Sequence, residues 1–179
     1  MLLIGLTVLK KFWEGSFYMA GHLSNEREGR ILAVSISEKK GEKKHNIERA
    51  SLIKDYGIEN DAHAGDWHRQ VSLLAIESIE KIRKAGIDVN PGDFAENLTT
   101  EGIRLWEIPV GEKIRIGQSV LAEVTQIGKE CHDHCAIFQQ VGDCVMPREG
   151  IFVRILEGGE IRPGDEVLVF CRGSETPVK

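Results

Sequence analysis

Apolar and polar residues alternate in part along Arg30-Ile31-Leu32-Ala33-Val34-Ser35-Ile36-Ser37, a run rich in β-formers, which predicts a strand. The charged stretch from Glu38 to Lys44, with Gly41 inside it, then reads as a solvated loop. Ile47 to Ile53 reads as a second short strand. From Tyr56 to Asp66 periodicity is lost and turn residues recur every few positions, which predicts a long irregular loop carrying Asp61, His63 and Asp66, with His68 just beyond. Gln70 to Ala75 reads as a buried strand. Past it Ile76, Ile79 and Ile82 recur every three residues beside Ala75 and Ala85. Glu77 and Glu80 come early and Lys81, Arg83 and Lys84 late, as the helix macrodipole favours, and Gly86 supplies a stop. This is the clearest helix in the pattern.

Downstream the pattern is that of strands. Gly111 to Leu121 is echoed by Gly159 to Leu168, the shared core being Ile-Arg-x-Gly-x-x-Val-Leu. In each unit a short strand reaches a Gly turn and returns as an apolar strand, a hairpin-like connection in which Pro163-Gly164 is the stronger turn signal. Val120 to Ile127 and Ile151 to Leu156 read as further strands. The fold class predicted is mainly β, a closed or partly closed barrel with a few short helices rather than a doubly wound α/β fold. Side chains alternate across a strand, so Val120, Val124, Val167 and Val169 are expected inside while Arg115 and Arg162 reach solvent.

A length of 179 residues with 41% apolar content suits one domain with a full core. A net charge of −5, with no Lys/Arg cluster interleaved with aromatics, argues against a nucleic-acid partner. The apolar opening Met1 to Leu9 is too short to span a membrane, lacks a positive n-region and meets Lys10 and Lys11 at once, so no membrane partner is expected. Residues 1–28 read as an N-terminal extension. Either the natural start is Met19, or the extension is a genuine strand or arm packing on a neighbour. Residues 29–172 read as the domain and 173–179 as a tail.

Chemistry concentrates in Gly128-Lys129-Glu130-Cys131-His132-Asp133-His134-Cys135, with Cys144 nine residues on. This stretch holds three of the four cysteines and two of the six histidines. Thiolates and imidazoles are both good nucleophiles and good ligands for soft or borderline metals. Crowded in this way and without a signal peptide, the cysteines fit free thiols in a reducing cytoplasm better than a secreted disulfide scaffold. Cys131, His134, Cys135 and Cys144 offer four N and S ligands for a tetrahedral zinc site, although the C-x-x-x-C spacing leaves the choice of ligands open. If the segment is helical, Cys131 and Cys135 share a face and can bind a metal jointly or form a reversible disulfide. The alternative needs one thiolate poised after the 120–127 strand, able to take sulfane sulfur as a persulfide. Lys129, His132, His134 and Arg148 are the cationic neighbours that would favour the thiolate. Cys171, alone at the end of an apolar strand, reads as structural. Glu96 and Asn97 interrupt an apolar passage; fixing the loop by hydrogen bonds is the plainer role and lining a site the sharper one. His63 and His68 read first as loop imidazoles and second as ligands.

Asp61-Ala62-His63-Ala64-Gly65, His68-Arg69-Gln70-Val71-Ser72-Leu73, Gly92-Asp93-Phe94-Ala95-Glu96-Asn97-Leu98 and Val124-Thr125-Gln126-Ile127-Gly128-Lys129-Glu130-Cys131 together resemble the MOSC domain, the C-terminal module of molybdenum cofactor sulfurases. The resemblance runs from about Gly29 to Phe170, as in a stand-alone, single-domain member. It implies a β-barrel of the MOSC and pyruvate-kinase β-barrel kind, and a role handling sulfur or the molybdenum cofactor (molybdopterin) through one key cysteine, which maps to Cys131. In amidoxime-reducing relatives a cysteine of this segment ligates molybdenum, and Cys135 is the candidate for that position. A phosphorylated pterin needs donors from several loops, so the 61–69 loop and the 92–98 stretch are expected beside the cysteine segment. Arg69, Lys129 and Arg148 are the candidates for its phosphate, with Asn97 and His63 as further cofactor-binding residues. The full sulfurase carries a pyridoxal-phosphate desulfurase domain for which 179 residues leave no room, so pyridoxal phosphate belongs to a partner. The implied partners are a cysteine desulfurase as sulfur donor and a molybdoenzyme or cofactor-biosynthesis protein as recipient. The competing reading is a non-enzymatic zinc- or redox-binding module built on the Cys131–Cys144 cluster. Oligomeric state and transferase activity stay open.

Overall fold

The computed structural model describes residues 28–129, Phe138, Gly142 and 144–170. The N-terminal extension with Met19, most of the cysteine segment, Cys171 and the tail lie outside the described residues. The chain runs through strands β1 (Glu28–Ile36), β2 (His45–Ile47), β3 (Ala50–Ile53), β4 (Gly57–Ile58) and β5 (Val71–Ala75) into helix α1 (Ile76–Lys84). It continues through β6 (Leu98–Glu101), a 3-10 turn at Leu105–Glu107, β7 (Lys113–Ile116), β8 (Val120–Ile127) and helix α2 (Met146–Glu149), and ends in β9 (Ile151–Glu157), β10 (Gly159–Ile161) and β11 (Glu166–Phe170).

Seven of these strands close on one another in the order β11-β7-β8-β9-β5-β6-β1, the ring completed by the pairing of β1 with β11. The long β1 makes closure possible by serving several neighbours. Its first residues, Glu28 to Arg30, pair with β11, while Val34 to Ile36 pair with β2, and a register shift between Ile31 and Ala33 marks the bend against β6. All barrel pairings are antiparallel except β5 with β6, the pair bridged in sequence by α1. Closure removes the open edges that a flat sheet would expose.

Alternation along the strands fills the interior. Val120, Val124, Val167 and Val169 are buried and Arg115 and Arg162 exposed, as the period-two pattern requires. β5 is buried at every position because it has a covered face on each side. Val71, Leu73 and Ala75 point into the barrel core, whereas Leu74 joins a second cluster outside it with Ile79 and Ile82 of α1 and Val145 and Met146 around α2. Full burial of each such isoleucine is worth about 1.5–3 kcal/mol, which is what holds α1 on the barrel wall. α1 ends as its sequence indicates, with Gly86 at φ +90° and its N–H donating to the Arg83 carbonyl at 2.9 Å.

Two expectations need correcting. The Ile47–Ile53 strand is two strands, β2 in the barrel sheet and β3 in a separate three-stranded sheet ordered β10-β3-β4. The second Ile-Arg-x-Gly-x-x-Val-Leu unit is not a hairpin: β7 and β8 pair with each other, but β10 pairs with β3 and β11 with β7 and β1. β3 approaches the second unit closely, since a Cβ at Gly158 would run into the Leu52 carbonyl oxygen. The turn itself forms, with the Arg162 N–H donating to Asp165 Oδ2 at 2.9 Å and Gly164 at φ +93°. Among the described residues no helix is long and apolar enough to cross a membrane.

Candidate functional site

The irregular loop before β5 is organised by Asp61. Its buried carboxylate accepts the Ser37 N–H at 3.1 Å and the His63 N–H at 3.0 Å, and it pairs with the Lys44 ammonium. Burial alone would raise the Asp61 pKa, but bonds from His63 and Lys44 outweigh it and hold the group below the usual carboxylate range. Lys44 belongs to the run expected to be a solvated loop; its side chain is 1% exposed, so that expectation fails at the run's last residue. Desolvation pushes its pKa below the usual lysine range against the pull of Asp61 and Glu96. Lys44 also offers its Nζ to His63 Nδ1 at 3.3 Å. His63 in turn accepts the Trp67 indole N–H at its carbonyl, 2.9 Å away.

The loop before β6 packs against the same lysine. Gly92 sits at φ +96°, and a Cβ there would come 2.5 Å from the Lys44 carbonyl oxygen, so only glycine lets the two segments touch. Glu96 is fully buried and takes the plainer of its two expected roles. It accepts the Gly92 N–H at 2.7 Å, the Phe94 N–H at 3.2 Å and the Thr99 hydroxyl at 2.9 Å, while burial raises its pKa. Asn97 ties three strands together. Its Oδ1 accepts the Ser72 N–H at 3.1 Å and hydroxyl at 3.0 Å, and its Nδ2 donates to the Ser35 carbonyl at 3.1 Å.

The third element is the end of β8. Gly128, at φ +73°, donates its N–H to Gly150 at 2.7 Å and leaves no room for a Cβ beside the Pro147 carbonyl. The chain therefore leaves β8 and re-enters α2 at one fixed point, with the cysteine segment strung between.

These three elements enclose a pocket of ≈ 80 Å³. His63, Arg69, Ser72, Asn97 and Lys129 supply its polar groups, and Trp67, Phe94 and Phe152 are its aromatic walls. Arg69 lies 4.8 Å from the Trp67 ring centre and 5.7 Å from that of Phe152, so its guanidinium is held by stacking. Its Nε is buried with no hydrogen-bond partner among the described residues. An unpaired buried donor on a cation is costly, and an anion in the pocket would satisfy it.

Four of the five residues expected to bind the cofactor thus share one pocket, and the 61–69 and 92–98 stretches meet there with Lys129 and Met146, which flank the cysteine segment. Arg148 is exposed on α2 and is not among the lining residues. Cys144 is buried in the outer cluster. Cys131, His134 and Cys135 lie outside the described residues, and among those described no three His, Cys, Asp or Glu side chains gather as a metal site. Lys44, Trp67, Phe94 and Phe152 are additions to the expected set. The aromatics carry no polar signal, but the adjacency of Trp67 to His68 and Arg69 was one available hint.

The MOSC domain family model matches residues 60–168. No curated protein sequence matches the chain. Among solved structures, the YuaD protein from Bacillus subtilis superposes with a TM-score of 0.67 at 19% identity, covering 80% of this chain and 96% of that one. YiiM from Geobacillus stearothermophilus gives 0.60 at 19% identity, covering 82% and 77%, and YiiM from Escherichia coli 0.56 at 19%, covering 80% and 70%. These likenesses show a common fold. With the family model spanning more than half of its length, the barrel and its pocket identify the chain as a member of the MOSC domain family, a family associated with the molybdenum cofactor.

Proposed function

We propose that the chain binds the molybdenum cofactor and handles sulfur or molybdenum through a single cysteine, Cys131, which accepts sulfane sulfur or ligates the metal. The observation that carries this reading is the orphaned, buried Nε of Arg69 in a pocket that also holds Lys129, two residues before Cys131. The residues fit one end of the cofactor. Arg69 and Lys129 suit its phosphate, and Trp67, Phe94 and Phe152 wall that pocket, Trp67 and Phe152 holding the Arg69 guanidinium by stacking. Small-molecule sites run to about 300–1,000 Å³, so a cavity of ≈ 80 Å³ takes the phosphate end alone.

Bound in this way, the cofactor supplies the metal and its sulfur ligands, and the chain supplies position and a nucleophile. His63 and Asn97 offer hydrogen bonds from the wall, the aromatics exclude water, and Lys129 favours the thiolate form of Cys131. In the sulfur-carrier form, the Cys131 thiolate attacks the outer sulfur of a persulfide on a cysteine desulfurase. A Cys131 S–S bond forms, the donor's S–S bond breaks, and the donor cysteine leaves as a thiolate, with no external oxidant required. The recipient is a molybdoenzyme or a cofactor-biosynthesis protein, and pyridoxal phosphate stays with the donor.

Cys131 is the indispensable thiol, Cys135 the next in importance and Cys144 a supporting partner. Loading each variant with a cysteine desulfurase and reading persulfide by mass spectrometry tests this. Cys131→Ser should abolish loading while Cys144→Ser keeps most of it. Equal loss with every cysteine, accompanied by zinc release, would establish the zinc module of Cys131, His134, Cys135 and Cys144 instead.

A further inference from the structure

Lys44 and Asp61 form an ion pair whose side chains are each 1% exposed. Stability alone does not account for such a pair, because replacing a buried ion pair by apolar groups is often neutral or stabilising. An apolar substitute would lose the Ser37 and His63 N–H groups that Asp61 accepts, and it would also lose a third side chain. His63 Nδ1 lies 3.3 Å from Lys44 Nζ, and His63 lines the pocket.

Two roles are open to Nδ1. It can accept from Lys44, or it can donate to Asp61 Oδ2, 3.6 Å away. The second separation is the longer one and lies just beyond hydrogen-bond range. It is still close enough for the His63 side chain to help hold Asp61 low, but Oδ2 already accepts the His63 backbone N–H at 3.0 Å, and the shorter contact of Nδ1 is with Lys44. Lys44 faces the Asp61 carboxylate in an ion pair whose side chains are both 1% exposed, and the ammonium of that pair has only donors. The nitrogen facing it is therefore the acceptor. The ring hydrogen then sits on Nε2, the nitrogen left to the pocket.

We propose that Lys44 and Asp61 are positioning residues that lock His63 in its Nε2–H tautomer, making it a third anion donor beside Arg69 and Lys129. The pocket then takes an oxyanion such as a phosphate monoester through three donors from two segments, the loop before β5 and the end of β8, with the imidazole preset before the ligand arrives. This orientation from behind resembles in logic the carboxylate that fixes a ligating histidine in metal sites. The proposal rests on the anion-binding reading given above.

The first measurement needs no ligand. Long-range ¹H–¹⁵N NMR on the full chain with labelled histidine reads which nitrogen of His63 carries the hydrogen. The expected result is hydrogen on Nε2 in the wild type and a mixture of tautomers in Lys44→Met/Asp61→Asn, which removes both charges so that neither is orphaned. Hydrogen on Nδ1 in the wild type, or an unchanged tautomer in the double variant, overturns the assignment. Titration with inorganic phosphate then reads the consequence. The double variant, with its fold checked by circular dichroism, should bind about tenfold more weakly, and so should His63→Phe. Wild-type binding with unchanged affinity in both variants overturns the donor role alone, since a purely structural pair would give that result. A wild type that binds no phosphate overturns the anion site itself, and the donor role with it.

Discussion

Two buried carboxylates near Lys44 are displaced in opposite directions, and the difference is visible in stability against pH. Asp61 is held low in the folded chain, so between that value and the ordinary carboxylate pKa of about 3.9 the unfolded chain binds more protons. Its contribution is present above the ordinary value and lost as pH falls through the folded one. Glu96 is pushed up by burial, so from about 4.3 to its folded value the folded chain binds more protons, and stability falls as pH rises through that window. Urea titrations across pH should therefore show Glu96→Gln flattening the mildly acidic limb and Lys44→Met/Asp61→Asn the strongly acidic one. The same slope in both variants would contradict these assignments. Legibility at this scale followed chemistry. Asp61, His63, Arg69 and Asn97 stood out as polar or cationic residues in odd places. Lys44 closes a run in which Glu38 to Lys43 are all exposed, and only the fold tells it apart.

Gly128 is where an element becomes part of the site. It ends β8 at φ +73°, against Pro147 at the start of α2, so any side chain there meets both backbone strain and a carbonyl oxygen. Gly128→Ala should cost about 2–3 kcal/mol, a fall in Tm of roughly 4–12 °C for a domain of this size, and should weaken phosphate binding by displacing Lys129. Gly111→Ala is the comparison. It also has positive φ, +91°, but open space around it, so only the backbone strain of about 1 kcal/mol applies. Equal effects of the two substitutions in thermal unfolding would mean that the β8–α2 contact does not matter. Among the elements, α1 was readable because period, charge order and a terminal glycine agree, and the β7–β8 hairpin because turn and alternation agree. The β10 unit shares that local pattern, yet β10 pairs with β3, a tertiary choice that no local pattern encodes. The split of β2 from β3 is of the same kind, since the two strands belong to different sheets.

At the scale of the molecule, the closed barrel is a frame that brings three distant stretches to one place. β1 and β2 lead into Lys44, β5 and β6 carry Ser72 and the Asn97 tether, and β8 delivers Lys129. Alternation of apolar residues was enough to anticipate a barrel. Cys131, His134 and Cys135 lie outside the described residues. The central claim is that the pocket and Cys131 serve the molybdenum cofactor, and its most direct measurement is elemental and pterin analysis of the full chain produced with molybdenum and zinc both available. Molybdenum and pterin in equal amounts on the wild type, both lost from Arg69→Gln, is the result predicted. Stoichiometric zinc with neither molybdenum nor pterin would contradict it.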